Sequence, residues 1–371
     1  MYVRRFLVGF GVIIASIKQE NIHLNSFNIK QIPTRQFFQF PFIMVHLEDI
    51  LAHNVTISSS FPPGLVALFV GATSGIGAAT LKAFAKHTIR PRAYFVGRSQ
   101  PAADLILTEC KALNPEGEYI FIQADVSLVR VVDDVCSQIK TREKELNILF
   151  LSQGVPSLDR SVTSENIHLL SALCYYSRLR FTTQLLPLLQ HASGLRRVIT
   201  VAGGGFEASI DPSDFPALLV PLDQIRGHLS TLITLGLEGV ARQAPTVTFI
   251  HDYPGTVNTP LTQRLLTTGD GPMRVVPADW MAPEESGERH VYLLSCERYP
   301  SAEDEGLGPC AAQVVSGTNG QLGSGVYSVG PDGESSSIEV LETLKTLRDD
   351  GMIERIWQHT QSVFERVVGN A

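Results

Sequence analysis

The sequence predicts an α/β protein, a Rossmann-type doubly wound parallel sheet with helices on both faces, and three observations lead there. Leu65-Val66-Ala67-Leu68-Phe69-Val70 is a continuous apolar run, the pattern of a strand buried on both faces. This run passes directly into Gly71-Ala72-Thr73-Ser74-Gly75-Ile76-Gly77 and then into strong helix formers at 78–86. Strand-like and helix-like segments then alternate as far as residue 251, and parallel neighbours need such crossover helices.

Each element follows in order. The glycine segment is a strand-to-helix turn whose glycines let the backbone approach a pyrophosphate, while the free N–H groups at the helix start hold its charge. Further strands are expected at 93–96, 119–123, 148–151, 197–201 and 247–251, and a last one at 325–329 after a loop-rich stretch. Helical patterns fill 102–113, 129–144, 166–190 and 224–243. No internal repeat is present. The organisation expected is an extension at 1–43, a nucleotide-binding domain at 44–330 with a substrate lid about 261–293, and a helical amphipathic tail at 331–371 that caps the sheet or makes a subunit contact.

Composition excludes several classes. At 371 residues, 44% hydrophobic and 18% charged, the chain is too apolar for disorder and can bury a large core. Its 30 basic and 37 acidic side chains leave a charge of −7, which argues against nucleic acid or an anionic membrane surface as the main partner. Five scattered cysteines show no zinc-ligand spacing, so no metal is expected and a reducing, cytoplasmic setting is the simplest reading. Arg4 and Arg5 precede an apolar run at 6–17, the order of a signal or short anchor, yet the run is shorter than the ~20 residues that span a bilayer. An irrelevant extension, a signal or anchor at 4–17, and an arm packed on the body all remain open for residues 1–43.

Cofactor choice is read after the second strand. A carboxylate about 20 positions past the glycine turn would bind a ribose hydroxyl, whereas arginine suits a 2′-phosphate. The position holds Gly97, then Arg98 and Ser99. A guanidinium pairs bidentately with phosphate, so NADP(H) is favoured over NAD(H).

These residues resemble the short-chain dehydrogenase/reductase family over roughly residues 64–330. Gly71-xxx-Gly75-x-Gly77 matches its cofactor turn, and Asp125-Val126 its adenine-bordering pair. Ser152-Gln153-Gly154 is similar to its Asn-Ala-Gly segment, and Pro254-Gly255-Thr256-Val257-Asn258-Thr259 to its stretch beside the nicotinamide. The resemblance implies cofactor contacts from Gly71, Ser74, Gly75, Ile76, Gly77, Arg98, Asp125, Val126, Gly154, Val257 and Thr259. The runs 69–77, 146–154 and 175–186 also resemble fungal members from natural-product pathways, which implies an oxidoreductase acting on a carbonyl or alcohol of a secondary metabolite.

The acid/base half of that family's pattern is absent. Its members use Tyr-xxx-Lys, but no lysine lies between Lys144 and Lys345 and no tyrosine between Tyr176 and Tyr253. Counting back from Glu238 puts the lysine position at Ile225 or Arg226 and the tyrosine position at Pro221 or Leu222. Gly203 stands at the serine's place and Cys174 at the asparagine's. Replacement candidates are His228, one helical turn past Ile225, Arg226, and Tyr175 or Tyr176. His251 and Tyr253 end the sixth strand as crevice lining, and Cys174 reads as a small buried hydrophobe. A non-redox isomerase or dehydratase and a nucleotide-binding pseudoenzyme stay open beside the oxidoreductase. Leu265, Leu266, Met273, Val275, Val276, Trp280 and Met281 in the lid imply a small hydrophobic substrate, and a homo-oligomer is compatible with the sequence.

Overall fold

The computed structural model describes residues 45–155, 159–267, 280–304 and 313–369, with the side chains of 265–267 outside that description. The extension at 1–43, the lid residues Met273, Val275 and Val276, and the side chains of Leu265 and Leu266 therefore lie outside the description.

Seven parallel strands pair in the order β3-β2-β1-β4-β5-β6-β7. They are β1 Val66–Val70, β2 Arg92–Gly97, β3 Glu118–Gln123, β4 Ile148–Leu151, β5 Arg197–Val201, β6 Thr248–Asp252 and β7 Val326–Val329. Every residue of β1, β4, β5, β6 and β7 is buried, because helices cover both faces and leave no polar side for alternation. In register, Ala67 pairs with Ala93 on one side and Ile148 on the other. Strand order reverses between β1 and β4, the switch point at which a crevice opens beyond the carboxyl ends.

One face carries α1 Leu47–Ser60, α2 Gly75–His87, α3 Gln100–Leu113 and α8 Pro283–Ser295, closing a core that includes Ile50, Leu81, Phe84, Ile106 and Leu294. The other carries α4 Val129–Arg142, α5 Ser177–His191, α6 Ile225–Ala241, α9 Ile338–Asp349 and α10 Met352–Val368 around Val132, Leu185, Leu232 and Phe364. The short α7 Pro260–Thr267 lies between the faces in sequence. Among the described residues, no helix is long and apolar enough to cross a membrane.

Two segments depart from the expectations, and a third decides between two of them. Residues 47–60, for which no element was expected, form a helix, and its Asn54 amide donates to Glu288 O at 2.9 Å and Glu288 Oε2 at 2.8 Å. The second half of the expected lid is α8, a core helix with Val291, Leu293 and Leu294 buried against the sheet. Polar Pro283–Glu288 hides it in the sequence, yet those polar groups are partnered internally. Burial opposes ionisation of Glu288, but hydrogen bonds from His87, Lys86 and Asn54 outweigh it and hold the carboxyl at about 2. The C-terminal tail caps one face of the sheet, with Met352, Ile356, Val363 and Phe364 inside the same core as the strands.

Candidate active site

At the carboxyl ends of the strands lies a crevice of about 670 Å³, ample for a dinucleotide's reactive half and a substrate. Its nucleotide end is built from backbone. Gly71 takes φ +81°, and a Cβ there would sit 2.7 Å from Gln153 N, so only glycine lets the turn close on the end of β4. At Gly77 a Cβ would lie 2.5 Å from Ser152 Oγ, which itself donates to Val70 O at 3.1 Å. These contacts leave the start of α2 open to the crevice, where its first-turn N–H groups lack intrahelical acceptors. All eleven residues singled out from the sequence for a nucleotide, from Gly71 to Thr259, line this one crevice. Arg98 stands exposed at its rim, without an ion pair among the described residues. Gln153 also lines the wall and keeps a buried amide oxygen unpartnered. Open N–H groups, an uncommitted guanidinium and a spare acceptor fit a dinucleotide.

The other end separates the acid/base candidates. His228 is 1% exposed; its Nδ1 accepts from Asp211 N at 3.3 Å and its Nε2 donates to Phe215 O at 3.1 Å. Burial lowers its pKa, and the ring holds the 211–215 loop instead of reaching the crevice. It shares a helix face with Ile225, and that face is the buried one. Tyr175 is equally displaced. Its hydroxyl bonds to Thr360 Oγ1 at 2.7 Å, and the Tyr176 hydroxyl to His359 Nε2 at 2.7 Å, so both rings tie α10 to the body. Burial pushes both phenols above their ordinary range. Arg226 does line the crevice, exposed, with its guanidinium 3.4 Å from the centre of the Phe206 ring and 4.7 Å from that of Tyr253.

Comparison with known proteins agrees with this architecture. A family model described as short chain dehydrogenase matches residues 65–210. Oxidoreductase AN1596 of Emericella nidulans is 39% identical over 336 residues, 88% of this chain and 99% of that protein. The chain belongs to the short-chain dehydrogenase/reductase family. Oxidoreductase andH of Emericella variicolor is 34% identical, over 88% of this chain and 99% of its own length. Short-chain dehydrogenase/reductase SAT2 of Stachybotrys chartarum is 29% identical, over 80% and 90%.

For a short-chain dehydrogenase, the loop after β5 is unusual, and the structure supplies a reason. A Cβ at Gly203 would lie 2.5 Å from Ser230 Oγ, so a hydroxyl from α6 already fills the space of a side chain there. Gly203 N donates to His251 Nε2 at 3.0 Å, and Gly205 N to Ser328 Oγ at 2.8 Å. His251, expected as crevice lining, is fully buried beneath this loop. Thr234 and Ser328 both donate to Glu207 Oε1, at 2.6 and 2.5 Å. Burial opposes charge on Glu207, but the bonds from His251, Ser328 and Thr234 leave its carboxyl below the usual range.

Sequence reasoning missed Arg178. Helix α5 is entered through a π-helical turn at Ala172–Tyr176, which frees the Leu173 carbonyl. Arg178 Nε donates to Leu173 O at 3.1 Å, Nη1 to Leu151 O and Val201 O at 2.9 Å, and Nη2 to Gln153 O at 2.5 Å. One guanidinium thus ties the ends of β4 and β5 to α5, and burial lowers its pKa to about 10. The helix also carries Arg180, Thr182, Thr183 and Gln184, so its sequence held no signal that set Arg178 apart. Cys174 also lines the crevice, with its thiol pushed up by burial.

Proposed function

We propose that this protein is an NADP(H)-dependent oxidoreductase that interconverts a carbonyl and an alcohol on a hydrophobic small molecule, in a reducing, cytoplasmic setting. The observation that carries the reading is the convergence of the glycine turn, Asp125-Val126, Val257 and Thr259 on one crevice with Arg98 uncommitted at its rim. Relatives whose names describe oxidoreductases support the reaction class, and four unpaired cysteines among the described residues support the setting.

When bound, a nicotinamide nucleotide would supply the hydride. The chain's own part is to hold and polarise. N–H groups at the start of α2 would hold the pyrophosphate, and Arg98 the 2′-phosphate. Asp125 and Val126 would border the adenine, with Val257 and Thr259 at the reactive end. Arg226, the one sequence candidate on the crevice, brings a positive charge to the side where oxyanion character develops. Of the described lid residues expected to meet a greasy substrate, neither Trp280 nor Met281 lines the crevice, and Met281 lines a separate pocket with Ile50 and Tyr292.

The test is thermal unfolding with NADPH, NADH and no nucleotide. NADPH is expected to raise Tm more than NADH, and Arg98→Ala to weaken NADPH binding about tenfold while leaving NADH unchanged. No stabilisation by either nucleotide would sink the reading. The absence of a hydroxyl at Gly203 favours a second reading, a nucleotide-binding protein without turnover, which predicts stabilisation by NADPH with no consumption of it.

A further inference from the structure

Interconverting a carbonyl and an alcohol moves a proton at oxygen, so a group that can release and regain one must face the substrate. Resting on the oxidoreductase reading above, we propose that Tyr253 is that group, with Arg226 as its charge partner, a pair assembled from the end of β6 and the start of α6. Of the nine tyrosines, Tyr2 lies outside the described residues. Tyr94, Tyr119, Tyr175, Tyr176, Tyr299 and Tyr327 bond their hydroxyls to the protein, and Tyr292 is tied to Cys296 and Arg298 on the far face. Tyr253 alone among the described tyrosines lines the crevice, and its hydroxyl has no protein partner among the described residues.

Its surroundings hold the ring in place. Tyr253 N donates to Val329 O at 3.0 Å, extending β6 by one residue. Phe206 meets the ring edge to face at 4.9 Å and 90°, and the Arg226 guanidinium stacks on Phe206 while lying 4.7 Å from the Tyr253 ring centre. Arg226 makes no ion pair among the described residues, so its charge is free to balance a phenolate; being always protonated, it cannot itself be the acid. Competing groups on the crevice are poorer. The Cys174 thiol is pushed up by burial, and Asp125, at the nucleotide end, accepts from Ser127 N at 3.1 Å.

In the reducing direction the carbonyl π bond gives way to two bonds. A C–H bond forms with the hydride equivalent of a reduced nicotinamide nucleotide, and an O–H bond forms with the proton of Tyr253 Oη. The phenolate left behind is reprotonated by water from the open crevice. Oxidation runs the same transfers backwards.

Nitration by tetranitromethane, which attacks accessible phenolates, followed by peptide mapping tests the pair without substrate. Tyr253 is expected to be the most heavily nitrated of the eight described tyrosines, and Arg226→Met to reduce its labelling severalfold with the other seven unchanged. Labelling of Tyr253 no greater than that of Tyr175, or indifferent to Arg226→Met, overturns the proposal. With benzil as carbonyl probe, Tyr253→Phe is expected to lower kcat about 100-fold, with the NADPH-induced rise in Tm kept. An unchanged kcat in Tyr253→Phe overturns the proposal but spares the oxidoreductase reading, whereas a wild type that NADPH does not stabilise removes that reading itself.

Discussion

The two ends of the crevice use different materials. At the nucleotide end the working groups are main-chain: a glycine turn at φ +81°, the open start of α2 and the 152–154 segment seated against it. At the substrate end they are side chains from separate elements, Arg178 from α5, Arg226 from α6 and Tyr253 from the end of β6, all lining the crevice. A main-chain site survives sequence change as long as its few glycines stay, because any residue supplies the same N–H. A side-chain site can be rebuilt from new positions when the old ones change, since only the location of the functional atoms matters.

The strongest way to break this contrast is Arg178→Ala. It takes the guanidinium donors from the carbonyls of Leu151, Gln153 and Val201 in a buried setting and leaves Leu173 O with the Ser177 hydroxyl, and urea denaturation is expected to show a loss of roughly 4 kcal/mol. A loss below about 1 kcal/mol would mean that water reaches those carbonyls. Gly203→Ser is expected to cost about 2 kcal/mol by overpacking, since its Cβ would meet Ser230 Oγ at 2.5 Å. Adding Ser230→Ala should recover at least half of that loss. Equal stability of the single and double variants would show that the hydroxyl is not what excludes a side chain at this position.

The smallest effect lies away from the crevice, at Glu288. Its folded value of about 2 lies below the ~4.3 of a free glutamate. The stabilisation is therefore fully present above the unfolded value and is lost as pH falls through the folded one. Stability of the wild type should decline between about pH 4.5 and 2 more steeply than that of Glu288→Gln, with little difference in slope at neutral pH. Parallel acid limbs for the two proteins would remove Glu288 from the account of how α8 is held to α1 and α2.

The strands were readable because each is a short apolar run buried on both faces, and each begins and ends within a residue of its expected bounds. The nucleotide end was readable for a related reason: its turn, helix start and flanking strand are contiguous, so spacing alone specifies geometry. Helix α8 was not, because Ser286, His290 and Glu288 look like surface residues until the structure supplies their partners. Nor were the acid/base candidates. His228 and Tyr175 have suitable chemistry, yet their directions are set by what the 211–215 loop and α10 require of them.

By itself, then, the sequence determined the α/β class, the order of the strands along the chain, the glycine turn and eleven positions that line one crevice, because all of these depend on local periodicity and local spacing. Only the tertiary structure decided which side chains share the substrate end. Arg226 and Tyr253 belong to different elements and are brought together by the packing of α6 against β6 and by the Phe206 ring between them. Convergence of that kind is a property of how elements pack, and no spacing along the chain records it.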